Sequence, residues 1–195
     1  MYNYIFGKLA EITPAYAVID CDGVGYILEI SLTTYSQIKD KSEVKLLAHF
    51  VVREDAHILF GFYEEKERTL FRHLINVNGV GATTARVMLS SYATDELAHA
   101  IISQDVKTVQ SIKGIGPKTA QRIVLELHDK IGKIDELDSL PVKALQSNKN
   151  HEEALCALVA LGFPKTAADK VLYKITESNP DATVENLIKL ALKML

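Results

Sequence analysis

Two periodicities divide the chain. Through residues 4–62, β-branched and aromatic residues form short stretches that read as five strands: Tyr4–Ile12, 15–20, Val24–Ile30, Glu43–Val52 and 56–62. Turn chemistry separates them at Thr13-Pro14, at Cys21-Asp22-Gly23 and at Arg53-Glu54-Asp55, and Leu32–Ile38 reads as a helical turn. From Glu64 the spacing becomes that of helices. Leu70, Phe71, Leu74, Ile75 and Val77 recur on one face, followed by Ala85, Val87, Met88 and Leu89. Further helices are predicted over residues 94 to about 102 with Thr94 as N-cap, over 106–110, and over 119–131 with Gly132 as the end. The pattern lapses over 133–150, where Asp, Ser, Asn, Lys and Pro141 collect, and a flexible tether is expected there. Asn150, with Glu153 three residues on, then reads as the N-cap of the first of three short helices. These cover 151–161, 164 to about 176 and 183–195, with a corner at Leu161-Gly162-Phe163.

This order implies a multidomain α+β protein. Residues 1–63 suit a five-stranded β-barrel of the oligonucleotide/oligosaccharide-binding (OB) type, with another five-stranded meander as the alternative. Residues 64–132 suit an all-α tandem helix-hairpin-helix domain, 133–150 a linker, and 151–195 a three-helix bundle. That bundle resembles the ubiquitin-associated (UBA-like) type, which binds partner proteins through an apolar groove; a stabilising tail is the plainer reading. Leu158, Leu161 and Phe163, apolar residues near the helix corner, are the candidate partner contacts.

The helical segment carries an internal repeat. Asn76-Val-Asn-Gly-Val-Gly-Ala-Thr-Thr-Ala85 is echoed by Ser111-Ile-Lys-Gly-Ile-Gly-Pro-Lys-Thr-Ala120 at a constant offset. Each reads as a Gly-apolar-Gly turn opening a helix. Gly79, Gly81, Gly114 and Gly116 are expected to take the positive φ that such a turn needs, while Val80 and Ile115 tuck back between the helices. The free N–H groups of the following helix, at Ala82 and Thr83 or at Lys118 and Thr119, then face outward as a site for a phosphate oxygen. Pro117 suits a first helical position, and Lys118 and Arg122, four apart, share one face beside it. Neither copy has the third glycine of a dinucleotide fingerprint, and Pro117 interrupts the Gly-Lys of a phosphate loop.

Charge sharpens this reading. The chain of 195 residues carries a net charge of −3, so it is no generally basic nucleic-acid coat. Only residues 65–132, which hold both turns, have more Lys and Arg than Asp and Glu, 9 against 7. Glu54 and Asp55 at the predicted hairpin tip read either as ordinary solvated turn residues or as carboxylates that repel phosphates. The six histidines show no metal-ligand spacing, and Cys21 and Cys156 have no neighbouring base, so no metal, cofactor or catalytic residue is assigned. The N-terminus lacks the basic start and long apolar core of a signal peptide, and no apolar run approaches membrane-spanning length; a cytoplasmic protein is expected.

Phe50-Val-Val-Arg-Glu-Asp-Ala-His-Ile-Leu-Phe-Gly-Phe62, Glu67-Arg-Thr-Leu-Phe71, Asn78-Gly-Val-Gly81, Gly114-Ile-Gly-Pro-Lys-Thr-Ala120 and Ala157-Leu-Val-Ala-Leu-Gly162 follow one another in an order that closely resembles the RuvA family, over essentially the whole chain. The resemblance implies a subunit without catalysis of its own that recognises four-way (Holliday) junction DNA. It implies a homotetramer, or an octamer on the junction, whose hairpins grip phosphates and whose Glu54 and Asp55 act as acidic pins at the centre. It also implies docking of the hexameric RuvB ATPase on the C-terminal bundle, and the RuvC resolvase as a further partner. One departure stands out: the first hairpin has Ala82-Thr83 where family members commonly carry a Pro-Lys-like pair. A helix-hairpin-helix repair enzyme and a single-strand-binding barrel protein are the competing readings.

Overall fold

The computed structural model describes residues 2–138, 142–179 and 182–195. All five predicted strands form: β1 (Tyr4–Ile12), β2 (Tyr16–Cys21), β3 (Val24–Ile30), β4 (Glu43–Val52) and β5 (His57–Phe62), with helix α1 (Leu32–Ile38) between β3 and β4. Antiparallel pairing joins β1 to β2, β2 to β3, β1 to β4 and β4 to β5. A short parallel register, Glu29 opposite Phe60 and Ile30 opposite Gly61, closes the barrel in the order β1-β2-β3-β5-β4. That closure decides for a barrel over an open meander. Alternation then does its work: Ala17 and Ile19, Leu28 and Ile30, and Val44 and Leu46 point inward and bury with Ile5 and Ile38.

Five helices follow: α2 (Glu65–Ile75), α3 (Ala82–Ser91), α4 (Thr94–Ile102), α5 (Val106–Ser111) and α6 (Pro117–Asp138). Their apolar stripes meet in one core with Leu70, Phe71, Leu74, Met88, Leu89, Leu97, Ile101, Val109, Ile123 and Leu127. Phe60 and Phe62 of β5 enter this same core, with ring centroids 5.1 and 4.8 Å from that of Phe71. Barrel and helices therefore share buried surface. Full burial of a phenylalanine contributes about 1.5–3 kcal/mol, which makes Phe71 a principal tie between them.

Local expectations need correcting at several helix ends. Ala93, not Thr94, caps α4, where its N–H donates to the Glu96 carboxylate at 3.2 Å. Gly132 lies inside α6, which runs on to Asp138. A glycine inside a helix costs only about 0.5–1 kcal/mol relative to alanine, too little to end a helix whose hydrogen bonds continue. Helix α7 (Val142–Ala160) begins well before Asn150, which caps nothing; its side-chain amide donates to the Ala182 carbonyl at 3.1 Å. Most of the stretch expected as a tether is thus helical backbone, and residues 139–141 lie outside the described residues.

The chain divides into two compact units, Met1–Lys133 and Ile134–Leu195. The second contains α7, α8 (Lys165–Ser178) and α9 (Val184–Ala191) around a core of Ala154, Leu158, Ala168, Leu172, Ile175, Leu187 and Ala191. Gly162, at φ 98°, makes the corner between α7 and α8, and Thr183 caps α9 by accepting the Asn186 N–H. His151 and Asp169 tie α7 to α8 at 2.9 Å. Among the described residues no helix is long and apolar enough to cross a membrane.

Candidate nucleic-acid interface

The two Gly-apolar-Gly turns share one backbone. In the first, Val77 N–H donates to Leu74 O and Val80 N–H to Val77 O, and α3 opens with Ala85 N–H on Gly81 O. In the second, Ile112 N–H donates to Val109 O and Ile115 N–H to Ile112 O, and α6 opens with Ala120 N–H on Gly116 O. Val80 and Ile115 are buried as expected. The leading glycines, Gly79 and Gly114, sit at φ 93° and 91°, the left-handed region where a Cβ is penalised.

Gly81 and Gly116 do not take positive φ, against expectation; Gly81 has ordinary extended angles, φ −83° and ψ 166°. A Cβ built on either one meets nothing within 4 Å. Neither backbone strain nor internal crowding accounts for these two glycines. What they do is leave the surface bare at the helix N-terminus, beside amides that helix geometry leaves unbonded at 82–84 and 118–119. That combination lets a bulky anion approach the backbone closely.

The charges differ between the two. Lys118 is exposed in the first turn of α6, and Thr83 occupies the matching place in α3. Thr119 is half-buried, its hydroxyl oxygen 3.8 Å from a Cβ built on Gly79, so the two turns abut. Arg122 does not simply share Lys118's outward role: its guanidinium donates to the Asn78 carbonyl at 3.1 Å, crossing from the second hairpin's helix to the first hairpin's turn. Its Nε also lies 3.9 Å from Glu126.

Glu54 and Asp55 project, exposed, from the β4–β5 turn, which Arg53 N–H closes on Ala56 O at 2.9 Å. Of the candidate partner contacts in the second unit, Leu158 is corrected to a core residue with 0% exposure, Leu161 is 61% exposed and Phe163 half-buried. Among the described residues no group of three or more His, Cys, Asp or Glu side chains gathers as a metal site would require.

Sequence reasoning missed two residues that hold this unit together. Glu67 and Arg68, adjacent on α2, are 1% and 6% exposed. The Glu67 carboxylate accepts from the Ser31 hydroxyl and, at 2.6 Å, from the Thr34 hydroxyl. Arg68 donates to Asn3 O at 2.8 Å, to the Asn3 side chain at 2.9 Å and to Glu65 at 2.6 Å. A clue was present, because Glu67 falls on the stripe Leu70-Phe71-Leu74, where a carboxylate is out of place unless partnered. Burial raises its pKa above the usual carboxylate value, opposed by the two hydroxyl hydrogen bonds and reinforced by Glu64.

Comparison with known proteins matches this architecture piece by piece. Residues 1–61 match the RuvA N terminal domain, 71–129 the SAM-like helix-hairpin-helix tandem, and 149–195 the RuvA C-terminal domain. Full-length relatives include proteins named Holliday junction branch migration complex subunit RuvA. Those of Christiangramia forsetii and Flavobacterium psychrophilum are each 50% identical over 195 residues, and that of Cytophaga hutchinsonii is 48% identical over 198. Each alignment covers 100% of both chains. With barrel, paired hairpins and C-terminal helices all matched in order along its whole length, the chain belongs to the RuvA family.

Proposed function

We propose that this protein binds four-way DNA junctions as the recognition subunit of a branch-migration complex, with no catalytic residue of its own. The observation that carries the reading is the duplicated turn, in which a second glycine with no internal reason to be glycine leaves a helix N-terminus bare. Gly79, Val80, Gly81, Ala82 and Thr83 form one phosphate site. Gly114, Ile115, Gly116, Lys118, Thr119 and Arg122 form the other. Such contacts grip backbone phosphates without reading sequence, so junction choice has to come from another part of the molecule.

The barrel (1–63) supplies it. In a homotetramer, or in two tetramers enclosing the junction, Glu54 and Asp55 of each copy meet at the crossover and hold the strands apart by repulsion from phosphates. The helical domain (64–132) grips the arms, and residues 133–150 connect it to the C-terminal bundle (151–195). That bundle docks the RuvB hexameric ATPase, which drives migration, with Leu161 and Phe163 at the contact; the RuvC resolvase then acts on the held junction. A gel-shift competition among four-way junction, duplex and single-stranded DNA of matched sequence tests the reading. The junction is expected to compete best, and equal affinity for all three would sink it. An incision assay on junction and damaged duplex DNA separates it from a helix-hairpin-helix nuclease or glycosylase, since this protein is expected to leave every strand intact.

A further inference from the structure

The barrel and the hairpin helices are joined by more than apolar contact. Glu67 reaches the barrel side through α1, where Ser31 and Thr34 both donate to its carboxylate. These partners are themselves engaged: Ser31 Oγ accepts the Thr34 N–H at 3.0 Å and so caps α1, and Thr34 Oγ1 accepts the Tyr63 N–H at 3.1 Å where β5 ends. The next residue, Arg68, holds Asn3 at the start of β1. Helix α3 adds its own bonds, with Thr33 donating to Leu89 O at 2.8 Å, Leu32 N–H to Ser90 Oγ at 3.1 Å and Arg86 to Ala15 O at 2.8 Å. Buried charged side chains are poor stabilisers compared with apolar ones, yet they hold one geometry, because displacement leaves buried groups unbonded.

We propose that Glu67, clasped by the Ser31 and Thr34 hydroxyls, is a positioning residue for junction selectivity, fixing the β4–β5 tip that carries Glu54 and Asp55 relative to the two phosphate-binding turns. This rests on the reading that the turns hold phosphates and the tip meets the crossover. A duplex arm is gripped by the helical domain alone and needs no fixed relation to the barrel. A junction needs both at once. Each hydroxyl donates to its own carboxylate oxygen, Ser31 to Oε1 and Thr34 to Oε2, so a side chain of the same shape with one acceptor oxygen keeps one of the two bonds.

The test measures affinity of the full-length protein for four-way junction and for duplex, with thermal unfolding of each variant. Glu67→Ala strands the Ser31 and Thr34 hydroxyls together; it is expected to leave duplex affinity within about twofold and to lower junction affinity at least about tenfold. Glu67→Gln, which keeps the side-chain shape and one of the two acceptor oxygens, is expected to give a junction-to-duplex ratio between those of Glu67→Ala and the wild type. If Glu67→Ala lacks a cooperative unfolding transition, Thr34→Val takes its place under the same criteria, since it keeps the side-chain shape and removes the hydroxyl that donates to Glu67 and accepts the Tyr63 N–H. Folded variants that lose junction and duplex binding in parallel, or lose neither, overturn the proposal. A wild-type protein that fails to prefer the junction would instead overturn the proposed function, which keeps the two failures apart.

Discussion

The two hairpins are one backbone with two kinds of support. The turns superimpose bond for bond, from the positive-φ glycine to the buried Val80 or Ile115. The first has no lysine, yet its flanking helices α2 and α3 carry the hydrogen bonds to the barrel, and its Asn78 carbonyl is held by Arg122 from the other copy. The second carries Pro117, Lys118 and Arg122. The bracing cannot be reciprocal, since the repeat places Val87 opposite Arg122 and a valine cannot donate. Duplication thus preserved the turn geometry and let the charges diverge, leaving one hairpin braced and the other charged.

Within each turn the two glycines do different jobs, and this yields the largest expected effects. Gly116→Val and Gly81→Val build outward from a Cβ position that meets nothing, so stability should fall by no more than about 1 kcal/mol, the loss of a glycine at a helix N-cap. Junction affinity should fall at least about tenfold, because the amides behind the new side chain lose their bonds to phosphate. Titration and thermal melting of one sample read both quantities, and a large loss of stability at either position would show that the glycine serves the fold. Gly79→Ala and Gly114→Ala should do the reverse first, costing about 1–2 kcal/mol in denaturant unfolding through the left-handed φ alone.

The charge difference is smaller and shows in salt dependence. Removing Lys118 should lower the slope of log affinity against log salt by about one unit, whereas Thr83→Ala should leave it unchanged. An unchanged slope for Lys118→Ala would remove that lysine from the phosphate contacts. Thr83→Lys should bring the first hairpin toward the second and raise the slope by about one unit.

The smallest effect concerns the brace. The folded-state pKa of Glu67 is raised by burial, so the stability linked to its protonation is fully present below the unfolded carboxylate value, about 4.3. It is lost as pH rises through the folded pKa. Glu67→Gln cannot ionise, so its stability relative to the wild type should improve as pH rises from about 4.3 through the raised folded pKa. Thermal unfolding of the pair across that range checks the sign; a gap that closes in the other direction would mean the carboxylate is better bonded when ionised than its burial implies.

Most of the secondary structure was legible because each element carries its own local cause. Alternation and turn residues place β1 to β5 within a residue or two, and the repeat places both hairpins. The errors fall where local chemistry is ambiguous. Asn150 and Gly132 have the residue types of helix ends, but the helices continue through both. The apolar character of Leu158 suits a groove as well as a core, and only packing put it inside.

The candidate site divides in the same way. Amino-acid order alone determined the five strands, the tandem hairpins, the helices of the bundle and the positions of glycine, lysine and carboxylate, because turns, strands and helix starts depend on residues within a few positions of one another; closure of the strands into a barrel came from the β3–β5 pairing. Tertiary structure alone decided which glycines are strained and which are merely bare, that Arg122 braces the neighbouring turn, and that Glu67 and Arg68 clasp the barrel. These bracing contacts join groups 33 to 65 residues apart in the chain, from Thr34 to Glu67 and from Asn3 to Arg68. No local pattern encodes such partners; they become visible only when the fold brings a buried charge against the atoms that satisfy it.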